Sequence, residues 1–231
     1  MLNLPPPKFG WSIDPFGHSP TVAYLLKRSG IQATVINRIH WKMKRFLGFN
    51  KNLLFNWRQT WDNYQNNTSI LTKVLPFFSY EMPYTCGPDY QDCCLVDFRN
   101  LYEPHCPFSG ISTQPITEKN VAKVAKILLH QFRKSAQIVR ENVVLYPMGG
   151  DFCWSSEQEI NSQFRNTGML MDYMNSAADM HVDIQYGTLK EYFVAVQDDS
   201  KHIENAPPIY QGDFFPYADL LNEYWSVLLV I

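Results

Sequence analysis

The run Gly10-Trp11-Ser12-Ile13-Asp14-Pro15-Phe16-Gly17-His18-Ser19 constrains the fold more than any other stretch of this chain. Residues 11–13 read as a short strand, and Pro15 and Gly17 stop it at once. Asp14 stands at its tip. A helix then begins, with Ser19 as N-cap and Pro20 at the first helical position. Val22, Leu25 and Leu26 fall on one face, expected to point inward, and Gly30 closes the helix. Strand, acid, turn and helix in this order place chemical groups along the carboxyl edge of a parallel sheet. An acid here also has a plain structural use, because negative charge is favoured at a helix N-terminus.

The rest of the chain repeats the alternation. Residues 33–37, 53–58, 70–78 and 142–147 are apolar or β-branched runs that read as strands, the last as a buried one. Residues 181–186 alternate apolar Val182 and Ile184 with polar neighbours, which predicts another strand. Helices are expected over 117–132, with Val121, Val124, Ile127, Leu128 and Phe132 inward, over 156–175, with Phe164, Met171 and Met174 inward, and from Thr188 to Val196. The basic segment 42–46 reads as a solvated helix face. Residues 83–116 and 207–219 read as loops. The expected class is α/β, with a parallel β-sheet or an incomplete β/α barrel and surrounding helices.

At 231 residues, with 45% hydrophobic and 18% charged side chains, the chain can bury a sizeable core in one large domain or two small ones. Its net charge of −2 gives no argument for nucleic acid or an anionic membrane surface. The longest apolar run near the end, residues 227–231, is far short of the roughly 20 residues of a membrane span. The Pro-rich start, residues 1–8, lacks the apolar core of a signal peptide. Sequons at Asn66 and Asn67 fit a lumenal protein.

Four of the five cysteines, Cys86, Cys93, Cys94 and Cys106, lie in the Pro- and Gly-rich segment, and Cys153 stands apart. Adjacent Cys93 and Cys94 pair poorly with each other. Outward pairing with Cys86 and Cys106 would staple the segment in an oxidising compartment. A structural zinc site is the rival reading, although paired C-x-x-C knuckles are lacking.

Asp14 and Asp151 occupy equivalent positions, each after an apolar run and each followed closely by a phenylalanine, Phe16 or Phe152. A pair of carboxylates flanking one bond is what glycoside hydrolysis requires; a retaining enzyme holds them about 5–5.5 Å apart. Two unrelated helix-capping acids would leave the same pattern.

Residues 11–19 resemble the signature of the family 38 glycoside hydrolases, the zinc-dependent α-mannosidases, and further matches follow in order. Residues 143–152, Val-Val-Leu-Tyr-Pro-Met-Gly-Gly-Asp-Phe, are similar to the family segment ending Gly-Asp-Asp-Phe-Arg. Residues 211–219, Gln-Gly-Asp-Phe-Phe-Pro-Tyr-Ala-Asp, are close to another family motif, and Thr85-Cys86-Gly87-Pro88 favours the Golgi branch. The resemblance covers nearly the whole chain, 1–231, as part of the N-terminal catalytic domain. It implies that Asp14 is both nucleophile and zinc ligand and that Asp151 is the general acid/base. It further implies that Phe16, Arg38, Tyr80 and Trp225 contact the sugar. It implies disulfides Cys86–Cys93 and Cys94–Cys106, stapling 83–107, with Cys153 free. Gly150 and Cys153 depart from the motif, replacing an acid and an arginine that would act on Asp151.

The implied activity is retaining removal of terminal α-1,3 and α-1,6 mannose from N-glycans in the Golgi lumen. Of the family's two histidines and two aspartates around Zn²⁺, only Asp14 lies in this chain, the others falling before the region of Trp11 and after Trp225; His18 is not one of them. A structural or catalytic zinc site takes three or more protein ligands. The expectation is therefore a shortened mannosidase segment, inactive by itself. The alternative is a non-catalytic glycan-binding or interaction module on the same fold.

Overall fold

The computed structural model describes residues 5–62, 68–200, 206–221 and 223–226. The sequons at Asn66 and Asn67, the first four residues and the apolar run 227–231 lie outside these. The chain divides into two compact units, one of Met1–Pro76, Gln137–Val143 and Thr188–Ile231, the other of Phe77–Ala136 and Val144–Gly187.

The first unit is α/β, as the alternation predicts. Its five strands are β1 (Phe9–Ser12), β2 (Ala33–Ile36), β3 (Leu54–Arg58), β4 (Ile70–Val74) and β5 (Ile209–Gln211), in sheet order β1-β2-β4-β3-β5. β1, β2 and β4 run parallel, with Ser12 opposite Ile36 and Ile36 opposite Val74. β3 is antiparallel to β4, and β5 is parallel to β3. Among the described residues the sheet is therefore mixed, parallel except where β3 meets β4. Every residue of β2 is buried, the pattern of a strand covered on both faces. Phe214 and Tyr210 pack on Phe55, and Phe214 also packs on Trp57 at 5.0 Å, in a core with Ile36, Leu53, Ile70 and Val74. A buried ion pair, Lys73 Nζ to Glu141 Oε1 at 2.7 Å, anchors the segment 137–143 to β4.

Helix α1 (Pro20–Arg28) links β1 to β2 and starts as expected: the Ser19 hydroxyl accepts the Thr21 N–H at 3.2 Å, and Pro20 follows. Its inward face is turned from the expected one. Ala23 is buried and Leu26 packs on the core, whereas Val22 and Leu25 are exposed. A small residue at the contact lets the helix backbone approach the sheet, leaving its larger neighbours on the flanks. Ser29 is the C-cap, with Gly30 next at φ +86°. In α2 (Trp41–Phe49), Lys42 and Arg45 are solvated as expected, but Lys44 is half-buried and donates to Asn37 Oδ1 at 2.8 Å. Burial, with Arg38 nearby, pulls the Lys44 pKa down to about 7. Helix α6 (Leu189–Ser200) runs past the expected end at Val196. β5, inside the expected loop 207–219, is three residues held by pairing Asn56 with Ile209 and Arg58 with Gln211.

The second unit is helical in its described residues. α4 (Val121–Ala136) and α5 (Glu157–Ser176) pack around Leu128, Phe132, Leu170 and Met174, with the short α3 (Tyr90–Cys94) against α4. The Ser156 hydroxyl caps α5 by accepting the Glu159 N–H at 3.2 Å. Phe164, expected inward, is 54% exposed; it stands against Tyr186 at 5.1 Å instead. Disulfides join Cys86 to Cys93 and Cys94 to Cys106, and Cys153 is a free thiol, the pairing implied by the resemblance.

Two expected strands do not form. Residues 142–147 form no ladder, and the chain passes from the first unit to the second after Val143. Their apolar side chains pack singly, Tyr146 on Phe132 at 5.6 Å, and Pro147 gives its carbonyl to the Thr85 hydroxyl. Residues 181–186 begin with His181 in the left-handed region (φ 47°) and form no ladder, but a side chain holds them: Asn175 donates to the Ile184 carbonyl and accepts the Ile184 N–H, both at 2.9 Å. The Asn175 amide does locally what a neighbouring strand would do.

Candidate active site

In the first unit, Asp14 lies two residues past β1 and Arg38 two residues past β2. The Ser12–Ile36 register brings them together. Arg38 donates from Nε (2.9 Å) and Nη2 (2.7 Å) to one oxygen, Asp14 Oδ1, and from Nη1 to the Tyr217 hydroxyl at 2.8 Å. Its guanidinium lies over the Phe16 ring at 4.8 Å and the Tyr217 ring at 5.5 Å. Burial works against the Arg38 charge, but the hydrogen bonds to Asp14 and Tyr217 outweigh it and raise its pKa. Burial likewise raises the Tyr217 pKa, with Arg38 opposing.

Phe16 also meets Tyr217 at 5.7 Å and Trp225 at 5.6 Å, edge to face. Phe16 is 42% and Trp225 55% exposed, so two aromatic surfaces stand open beside the Asp14–Arg38 pair. Backbone contacts hold them there. Gly17 donates to the Arg38 carbonyl, and His18 and Phe214 exchange both backbone hydrogen bonds. Gly17 has φ +85°, and a Cβ there would stand 2.7 Å from the Phe215 carbonyl carbon. Trp225 donates its N–H to the Tyr217 carbonyl, and the Ser226 hydroxyl accepts the Tyr217 N–H.

His18 does not reach the solvent. It is 4% exposed, its Nε2 has no hydrogen-bond partner among the described residues, and burial, with Lys44 near, lowers its pKa to about 4. Among the described residues no three His, Cys, Asp or Glu side chains gather where they could hold a metal ion. They do not by themselves fit a zinc centre, and Asp14 Oδ1 is engaged by Arg38.

In the second unit, Asp151 sits in a strained turn, with Phe152 at φ 59° and Trp154 at φ 65°. The Tyr80 hydroxyl donates to Asp151 Oδ1 at 3.2 Å, so the two residues expected there do meet. The Asp151 N–H is accepted by Glu81 Oε1 at 3.2 Å. Arg99 forks onto buried Asp97 at 2.7 and 2.9 Å and reaches Cys153 Sγ at 2.7 Å. Burial raises the Cys153 pKa to about 11, against the pull of Arg99, which keeps the thiol protonated. Asp151 opens on a cleft of about 650 Å³ whose walls include Glu81, Tyr84, Arg99, Tyr102 and Phe152. Phe152, which the sequence places beside the acid, is 94% exposed.

Of the predicted residues, Asp14, Phe16, Arg38 and Trp225 form one constellation, and Tyr80 and Asp151 another. Tyr217, Glu81 and Arg99 were not singled out. Tyr217 was signalled by its place in the 211–219 motif, whereas Glu81 and Arg99 carry no local signal.

Residues 2–220 match the glycosyl hydrolases family 38 N-terminal domain. The chain belongs to this family. It is 43% identical over 226 residues to alpha-mannosidase 2 of Rattus norvegicus, covering 95% of this chain and 20% of that protein. It is 43% identical to alpha-mannosidase 2 of Homo sapiens over the same length and shares. It is 40% identical over 222 residues to that of Drosophila melanogaster, again 95% of this chain and 20% of the relative. This family 38 chain thus spans about one fifth of the length of these relatives. No helix among its described residues is long and apolar enough to cross a membrane.

Proposed function

We propose that this family 38 chain supplies the two catalytic carboxylates of a retaining α-mannosidase acting on mannose-containing N-glycans. The observation that carries the reading is the fork of Arg38 on Asp14 Oδ1, beside the open faces of Phe16 and Trp225. A nucleophilic carboxylate must be aimed, and a guanidinium forked on one oxygen fixes its orientation. In this reading Asp14 attacks the anomeric carbon and forms a glycosyl-enzyme. Asp151 protonates the departing oxygen and then takes a proton from the water that releases the sugar. Tyr80, donating to Asp151 Oδ1, leaves the other carboxyl oxygen to carry that proton. Phe16 and Trp225 offer apolar faces to the sugar ring.

Asp14 as one ligand of a family-type zinc ion is part of the proposal, with the remaining ligands coming from elsewhere. Terminal α-1,3 and α-1,6 mannose as substrate and the Golgi lumen as location rest on the likeness to alpha-mannosidase 2. Two disulfides in the stapled segment support an oxidising compartment. The exposed aromatic pair also supports a second reading, a glycan-binding module without turnover.

The test is α-mannoside hydrolysis by a protein that carries this segment with the family's other zinc ligands. Product of retained anomeric configuration, lost in Asp14→Ala, is expected. An unchanged rate in Asp14→Ala contradicts the assignment. Binding of high-mannose glycans with no turnover selects the second reading.

A further inference from the structure

We infer that Glu81 is a positioning residue for Asp151, its carboxylate filling the space that a side chain at position 150 would occupy; this rests on the reading of Asp151 as acid/base. Three observations converge on it.

First, the contact is with the backbone of the reacting residue. Glu81 Oε1 accepts the Asp151 N–H at 3.2 Å, while the neighbouring Tyr80 hydroxyl holds Asp151 Oδ1 at the same distance. Consecutive residues thus grip Asp151 at both ends, and neither its backbone nor its carboxyl can turn without breaking a bond. Glu81 is itself placed, because its N–H goes to the Ser79 hydroxyl at 3.1 Å and a 3₁₀ turn, Met82–Tyr84, follows directly.

Second, Gly150 and Glu81 are matched in shape. A Cβ built on Gly150 stands 2.8 Å from Glu81 Cδ and closer still to Oε2. Backbone conformation does not demand glycine here, since Gly150 is absent from the positive-φ residues. The crowding is with the far end of the Glu81 side chain, so a Cβ at position 150 must displace the carboxylate that accepts the Asp151 N–H.

Third, the turn needs an outside hold. Phe152 and Trp154 both adopt left-handed φ, a strained conformation that persists only where the surroundings over-determine it. A charge-assisted bond from Glu81 to the N–H at the start of this turn is such a hold. Arg99, beside Cys153, is held charged against its own burial by Asp97, with Cys153 and Glu81 adding to the effect. The far side of the turn therefore faces a cation as its near side faces Glu81.

Amide exchange of Asp151, followed by NMR on the isotope-labelled chain, tests the hold without requiring turnover. Glu81→Ala is expected to speed that exchange about tenfold, and Glu81→Gln, which keeps an accepting oxygen, to leave it within about twofold. Gly150→Ala is expected to lower stability in the native background and to cost little in Glu81→Ala, where the carboxylate is gone. An unchanged Asp151 exchange rate in Glu81→Ala, or an equal Gly150→Ala cost in both backgrounds, overturns the inference. In a turning-over protein Glu81→Ala should lower kcat with KM nearly kept, and Glu81→Gln should recover most of kcat; equal losses in both variants also overturn it. The Asp151 exchange pattern without any α-mannoside hydrolysis counts against the mannosidase reading and not against the Glu81–Asp151 contact.

Discussion

Arg38 spends two of its donors, Nε and Nη2, on a single oxygen of Asp14 and a third, Nη1, on the Tyr217 hydroxyl. The group that holds this oxygen is planar and lies over the Phe16 and Tyr217 rings. Lysine cannot reproduce this fork. Arg38→Lys is expected to lower kcat/KM for an α-mannoside by about 10- to 100-fold, because a hydrogen bond to a charged group is worth about 1.5–3 kcal/mol. Asp14 is more than half exposed, so global stability should change by less than about 1 kcal/mol. Steady-state kinetics beside urea denaturation check both halves.

The Lys73–Glu141 pair is a different case, since both side chains are buried. Burial lowers the Lys73 pKa, and Glu141 opposes that shift. Removing one partner leaves an uncompensated charge in the core. Glu141→Ala is expected to cost about 3–5 kcal/mol, whereas Lys73→Met with Glu141→Leu should come near neutral. Chemical denaturation of the two variants beside the parent chain measures this.

Acid should weaken the first unit through His18. Its folded pKa of about 4 lies below the usual 6.5, so between those values the unfolded chain binds a proton that the folded chain refuses. Stability is fully present above pH 6.5 and falls as pH drops toward 4, by about 3 kcal/mol in all, since each pH step of one between those values costs about 1.36 kcal/mol. His18→Gln should flatten the stability profile across that window, read by denaturation midpoints from about pH 7 to about pH 4.

Gly17 should tolerate no side chain. Its φ of +85° and the Phe215 backbone behind it both oppose a Cβ. Gly17→Ala is expected to destabilise by about 1–3 kcal/mol from backbone strain, with further cost from the clash. It should also disturb the ring contacts of Phe16, seen as altered tryptophan fluorescence from Trp225.

Asp14 was legible in its strand–turn–helix setting, whereas Phe16, Arg38 and Trp225 were implied by the family resemblance. Parallel pairing of β1 with β2 turns Asp14 and Arg38 into one contact. Residues 142–147 misled for the reason β2 did not: both are apolar and β-rich, but only β2 has neighbours with free ladders. A strand needs a partner edge, and hydrophobic period does not reveal one. β5 was missed in the other direction, since Ile209-Tyr210-Gln211 is extended because β3 pairs with it and not by its own propensity. Glu81 and Arg99 belong to Asp151 only through space. The turn of α1 toward Ala23 reflects how closely a helix can approach a sheet, which sequence period does not set.

The most direct measurement is peptide mapping of a glycosyl-enzyme trapped with a fluorinated mannosyl fluoride, in a protein that carries this segment and turns over α-mannosides. If Asp14 is the nucleophile, a single covalent sugar per protein is attached to Asp14 and is absent in Asp14→Ala. A sugar attached elsewhere, or turnover that persists in Asp14→Ala, would show that another group attacks the anomeric carbon.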